Sequence, residues 1–123
     1  MAMIASGVDV ERLGLAPAAA LFRSLGDLSR LAIVRRLAEG PARVTDLVAA
    51  LGLAQSTVSK HLACLRDCGL VDSEPVGRAS IFRLTQPSLI DLLAAAEEVL
   101  AATGSAVALC PNYGGGSSAA DPS

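Results

Sequence analysis

At 123 residues the chain has room for one domain with a thin core. Apolar residues make up 52% of it, yet it carries only two Phe, one Tyr and no Trp, so the core must be built from Leu, Val, Ile and Ala, a palette that favours helix. Ten Lys and Arg against twelve Asp and Glu leave a formal charge of −2, which on its own argues against nucleic-acid binding, and no apolar run reaches the roughly eighteen residues of a membrane span.

No basic flank followed by an apolar stretch marks a secretion signal, so a cytoplasmic protein is expected. In such a reducing compartment three cysteines do not make structural disulfides; they are small buried hydrophobes or ligands. The distribution of charge says more than its sum. From Leu84 onward there are four acids, Asp91, Glu97, Glu98 and Asp121, and no base. Every cation lies in the front part, where any polyanion would have to bind.

Residues 1 to 8 read as a loose start. A helical region is expected from about Asp9 to Leu25, interrupted near Gly14 and restarted at Pro17, a good first-turn residue. Asp27 can cap a second helix, whose Leu28, Leu31, Ile33, Val34 and Leu37 recur near a 3.6 period until Gly40-Pro41 stops it. Thr45 can cap a short helix from Asp46 to Leu51, ended by Gly52. Another helix is expected from near Gln55 to Cys68, ended by Gly69. Two short helices around a tight turn containing Gly form a helix-turn-helix. The stretch from Val71 to Leu84 then reads as two strands around Gly77-Arg78, a hairpin in the place of a wing. Pro87-Ser88 opens a last helix to about Thr103, with Leu89, Leu92, Leu93, Ala96, Val99 and Leu100 on one side, a stripe most simply covered by a second copy of the chain. The expected fold is therefore mainly α with a small β-hairpin, a dimeric winged helix-turn-helix. Residues 1–104 would form that domain with its dimerisation helices, and residues 105–123, ending in GGGSSAADPS, a flexible tail.

On the second helix of the motif, Val58, Leu62 and Leu65 are spaced to face a core. Gln55, Ser56, Thr57, Ser59, Lys60 and His61 are left to offer short hydrogen-bonding groups and a cation to base edges in a major groove. Arg78 at the wing tip can reach an adjacent phosphate or minor groove. Any amphipathic helix has a polar side. The order of short helix, turn, polar-faced helix and hairpin with an arginine tip is what points to double-stranded DNA.

The segments LGDLSRLAIVRRLAEG, VTDLVAALGLAQSTVSKHLACLRDCGLV and GRASIFRL resemble the ArsR/SmtB family of metal-responsive repressors over roughly Leu21 to Leu100. The resemblance implies a winged-helix homodimer that blocks its operator until an inducer binds. Cys64 and Cys68, four apart, share one face of a helix, and thiolates select soft ions. With a third cysteine in the tail, the CLxxCGL pattern is similar to the cadmium- and lead-sensing CmtR branch of the family. That likeness implies that Cys64, Cys68 and Cys110 bind Cd(II) or Pb(II). The arsenic-type cysteine pair is missing, since Val44-Thr45-Asp46-Leu47 stands in its place, and no His follows His61 to build the zinc-type site of the last helix. An arsenic(III) sensor and a thiol redox switch remain alternatives on the same fold. An enzyme is not expected, nor a small-molecule substrate: His61 and Cys64 have no orienting acid, oxyanion element or phosphate loop to accompany them.

Overall fold

A computed structural model describes residues 13–104 and 106. Their elements run α1 (Ala16–Leu25), α2 (Leu28–Leu37), α3 (Val44–Leu51), α4 (Gln55–Asp67), β1 (Val71–Val76), β2 (Ala79–Leu84) and α5 (Ser88–Ala102). The helix-turn-helix is α3 and α4, and the wing is the antiparallel pair β1 and β2. The chain divides into two compact units, one up to Thr85 and one from Gln86. The expected domain boundary between residues 104 and 105 falls at the edge of the described residues, and the expected tail, with Cys110, lies outside them except for residue 106.

The core of the first unit is aliphatic, as the composition requires. Ile33, Val34 and Leu37 of α2 are buried with Leu47 of α3, Val58, Leu62 and Leu65 of α4, Val71 of β1 and Phe82 of β2. The spacing of the three α4 residues by four and three puts them on one stripe, which fixes the rotation of that helix about its axis. Asp27 caps α2 as expected: its Oδ2 accepts the Arg30 N–H at 3.0 Å. The α3 start differs from expectation. The helix begins at Val44 with Arg43 as its N-cap, and the bond comes from Asp46, whose Oδ2 accepts the Arg43 backbone N–H at 3.0 Å. A carboxylate at the third helical position does the capping, so the Thr45 hydroxyl is left exposed for other partners.

Gly52 closes α3 in the left-handed region at φ 69°, which lets the chain turn sharply into α4. In the wing, Val71 pairs with Leu84 and Val76 with Ala79, leaving Gly77 and Arg78 as a two-residue turn. Such turns need a positive φ at their first central residue, and Gly77 supplies it at 64°. Two hydrogen bonds tie the segment before α3 to the outer edge of the wing: Ala42 N–H to the Phe82 carbonyl at 3.0 Å, and Phe82 N–H to the Ala42 carbonyl at 2.8 Å. This bridge holds the wing against the helix-turn-helix. In the second unit α5 leaves Ile90 and Val99 exposed.

Candidate nucleic-acid interface and thiol site

With Val58, Leu62 and Leu65 turned inward, the 3.6-residue turn divides the rest of α4 into a crest and two flanks. The crest, opposite the core, carries Ser56 and Lys60, with Ser59 beside it, all exposed. Lys60 forms no ion pair among the described residues, nor does Arg78 at the wing tip, so both cations are free to meet phosphate. The other wing cation, Arg83, is engaged: its Nη2 donates to Glu74 Oε1 at 2.6 Å across the strands, and that contact raises its pKa further.

One flank faces the wing. Gln55 lines a cleft of about 400 Å³ with Arg43, Thr45, Arg78, Ser80 and Phe82. Further along the same flank, Arg66 Nη1 donates to Ser73 Oγ of β1 at 3.4 Å. Recognition helix and wing are thus joined by a side-chain contact as well as by the core.

The other flank carries Thr57, His61, Cys64 and Cys68, at successive spacings of four, three and four. Both cysteines are exposed, reduced and one helical turn apart, and Cys68 serves as the C-cap, its N–H bonded to the Cys64 carbonyl at 3.0 Å. Cys68 also lines an apolar groove of about 310 Å³ with Pro17, Ala20, Leu21 and Ser24 of α1 and with Leu70. The Ser24 hydroxyl oxygen is buried there without a hydrogen-bond partner. Among the described residues no three of His, Cys, Asp and Glu stand close enough to hold a metal ion. The structure brings Cys64 and Cys68 together; Cys110, the third expected ligand, lies outside the described residues.

His61 departs from the sequence expectation. The sequence sets it among the residues that face DNA, but its side chain is only 16% exposed and its Nε2 stands 3.8 Å from Asp27 Oδ2, the cap of α2. It therefore braces α4 against α2 instead of joining the crest. Thr57, on the same flank, is half-buried. Asp27 in turn has its pKa lowered, first by the Arg30 backbone N–H and then by the Arg30 and His61 charges, which together outweigh the opposing effect of burial. Arg43, Thr45 and Ser80 were not among the expected site residues. Arg43 and Thr45 stand at the start of α3 and Ser80 in β2, and the Ala42–Phe82 bridge brings the first two beside the wing.

The family described as "Bacterial regulatory protein, arsR family" matches residues 27–73, from the α2 cap through the recognition helix into β1. The regulator CmtR of Mycobacterium bovis is 39% identical over 84 residues, 68% of this chain and 71% of that protein. The chain belongs to the ArsR family. The regulator NmtR of Mycobacterium tuberculosis is 40% identical over 78 residues, 63% of this chain, which spans 65% of NmtR's length. A probable mercury resistance operon repressor of Streptomyces lividans is 31% identical over 97 residues, 79% of this chain and 78% of the repressor.

Solved structures agree with the ArsR assignment. Rv0081 of Mycobacterium tuberculosis superposes with a TM-score of 0.67 at 34% identity, covering 72% of this chain and 89% of its own. The homodimeric winged helix-turn-helix DNA-binding domain of Mb0332 from Mycobacterium bovis superposes at 0.64 and 27% identity, covering 77% and 88%. The curated relatives are transcriptional regulators, not enzymes. No described helix is long and apolar enough to cross a membrane.

Proposed function

We propose that this ArsR-family chain is a metal-responsive transcriptional repressor of the cytoplasm. It binds operator DNA as a homodimer and is released when a soft ion, Cd(II) or Pb(II), is held by the thiolates of Cys64, Cys68 and Cys110. The observation that carries this reading is the pair of exposed thiols one turn apart on the helix whose crest presents Ser56, Ser59 and Lys60. Gln55, Ser56, Thr57, Ser59 and Lys60 would meet the major groove, and Arg78 a phosphate or the minor groove beside it. His61 would act from behind, against Asp27, in setting the tilt of α4.

The donor chemistry fits a soft ion, because thiolates bind such ions in preference to hard cations. It is a two-thiolate fit among the described residues, with Cys110 called on from outside them. The likeness to a probable mercury resistance operon repressor supports a soft-metal inducer, and the likeness to a homodimeric DNA-binding domain supports a two-fold assembly. The exposed Ile90 and Val99 of α5, with Phe22 of α1, give such an assembly apolar surface to bury. Sensing follows from the shared helix: the thiols and the crest belong to one rigid rod. A force on the Cys64–Cys68 flank tilts the groups that touch DNA, and release requires tighter binding of the ion to the free dimer than to the DNA-bound one. Because thiols lose protons on binding metal, ion affinity falls as pH falls.

The test is titration of the purified protein with Cd(II), read by ultraviolet absorption and by retention of DNA from its own promoter. A thiolate-to-metal charge-transfer band is expected, weakened in Cys64→Ser, together with release of the DNA. Absence of any band overturns the thiolate site. Equal release of wild type and Cys110→Ser overturns the role of the third cysteine. Running Pb(II) and As(III) in the same assay tells the proposed inducers from an arsenic sensor.

A further inference from the structure

Two arginines without a common element line the wing-side cleft. Arg43 arrives there because Ala42 is bonded to Phe82 at the outer edge of the wing, which places the start of α3 beside β2. Arg78 arrives from the tight turn between β1 and β2. Thr45 and Ser80 add exposed hydroxyls, and Gln55 brings in the first turn of α4. That turn has no side-chain cap, because its N-cap is Ala54, so its leading backbone N–H groups lack an internal acceptor. The nearby acids are accounted for. Glu74 is held by Arg83, and Asp46 accepts the backbone N–H of Arg43 while its Oδ2 stays 4.0 Å from the Arg43 Nε. The Arg43 side chain is still 56% exposed, with guanidinium donors to spare.

We propose that this cleft is a clamp for one phosphodiester of the DNA backbone, gripped by Arg43 and Arg78 with the Thr45 and Ser80 hydroxyls as further donors. It deepens the DNA-binding reading and rests on it. The clamp sets the register of the duplex against α4, while the crest reads bases. Two guanidinium-bearing side chains lining one cleft suit a tetrahedral anion with two free oxygens, and desolvation in a cleft strengthens each charge-assisted bond. The clamp carries no base preference, so its loss weakens binding to every sequence alike.

The experiment uses the full-length protein and two labelled duplexes, one from the DNA upstream of its own gene and one a scramble of it, titrated at several salt concentrations. Arg43→Gln keeps the α3 cap, which uses the backbone N–H. It is expected to weaken both duplexes by the same factor, about tenfold, and to lower the slope of log affinity against log salt by about one for each cleft engaged. Asp46→Asn keeps an acceptor for the cap but removes the charge, and is expected to tighten both duplexes. Unfolding midpoints of the variants show whether each is folded. An unchanged salt slope in folded Arg43→Gln, or a loss confined to one duplex, overturns the clamp and leaves the DNA-binding reading standing. Wild-type protein that binds neither duplex overturns both. Inorganic phosphate at matched ionic strength should not displace the duplex. If it displaces wild type but not Arg43→Gln, the cleft is a small-anion site and the clamp is overturned.

Discussion

The two flanks of α4 are built from the same helix and differ in nearly every chemical respect. The wing flank is polar and cationic, with Gln55 beside Arg43, Arg78, Thr45 and Ser80. The opposite flank is sulfur-bearing, with Cys64 and Cys68 after Thr57 and His61, and Cys68 in an apolar groove walled by Pro17, Ala20 and Leu21. A polyanion suits the first, and a soft ion the second. Between them runs a narrow crest, so neither flank can move without carrying it. The arrangement teaches how a small regulator places two incompatible ligands close together: a helix about 10–12 Å across with its side chains keeps them apart and makes them mechanically one.

The largest effect is expected where both flanks share support. Leu62 is 1% exposed beneath the middle of α4. Leu62→Ala should cost about 2–5 kcal/mol in denaturant unfolding and impair DNA binding and metal binding together. Loss of one activity with the other intact would show that the flanks do not depend on a common rod.

A crossed pair of variants comes next. Cys68→Ser should lower Cd(II) affinity at least about tenfold, with DNA affinity in the absence of metal unchanged. Arg78→Ala should weaken DNA about tenfold and flatten its salt dependence, with Cd(II) affinity unchanged. Spectroscopic metal titration and anisotropy on the same preparations check both. Crossed effects of similar size would erase the distinction between the flanks.

The smallest effect concerns the brace behind the thiol flank. Asp27→Ala removes the α2 cap and the His61 contact, and should cost about 1 kcal/mol near neutral pH. Because the folded pKa of Asp27 is lowered from 3.8, its contribution is complete above that value and declines as pH falls below it, through the folded pKa. Wild type and Asp27→Ala should therefore converge in stability in acid. A difference that persists unchanged well below that pH would show that the carboxylate charge is not what stabilises the cap.

Much of this was legible in the sequence because it depends on local rules. Val58, Leu62 and Leu65 repeat at helical spacing, so the orientation of α4 could be read before any coordinates. Gly77 marks the wing turn because that conformation excludes most other residues. The pairing of Cys64 with Cys68 follows from their spacing alone. The misreadings came where a local rule had two solutions. Thr45 is a good capping residue by type, but Asp46 can cap Arg43 from within the helix, and it does. His61 is polar and lies on the flank between the crest and the core. Spacing cannot tell a residue facing water from one facing a carboxylate on another helix.

By itself, then, the sequence determined the order of elements, the inward stripe of the recognition helix and the pair of thiols, since each arises from contacts within a few residues. Only the tertiary structure decided what stands on either side of that helix. The Ala42–Phe82 bridge spans forty positions and brings Arg43 to the wing, and the Asp27–His61 contact spans thirty-four and takes His61 away from the crest. Neither has a sequence signature, because a hydrogen bond or an ion pair depends on the distance between two groups in space, and that distance is set by how the aliphatic core packs.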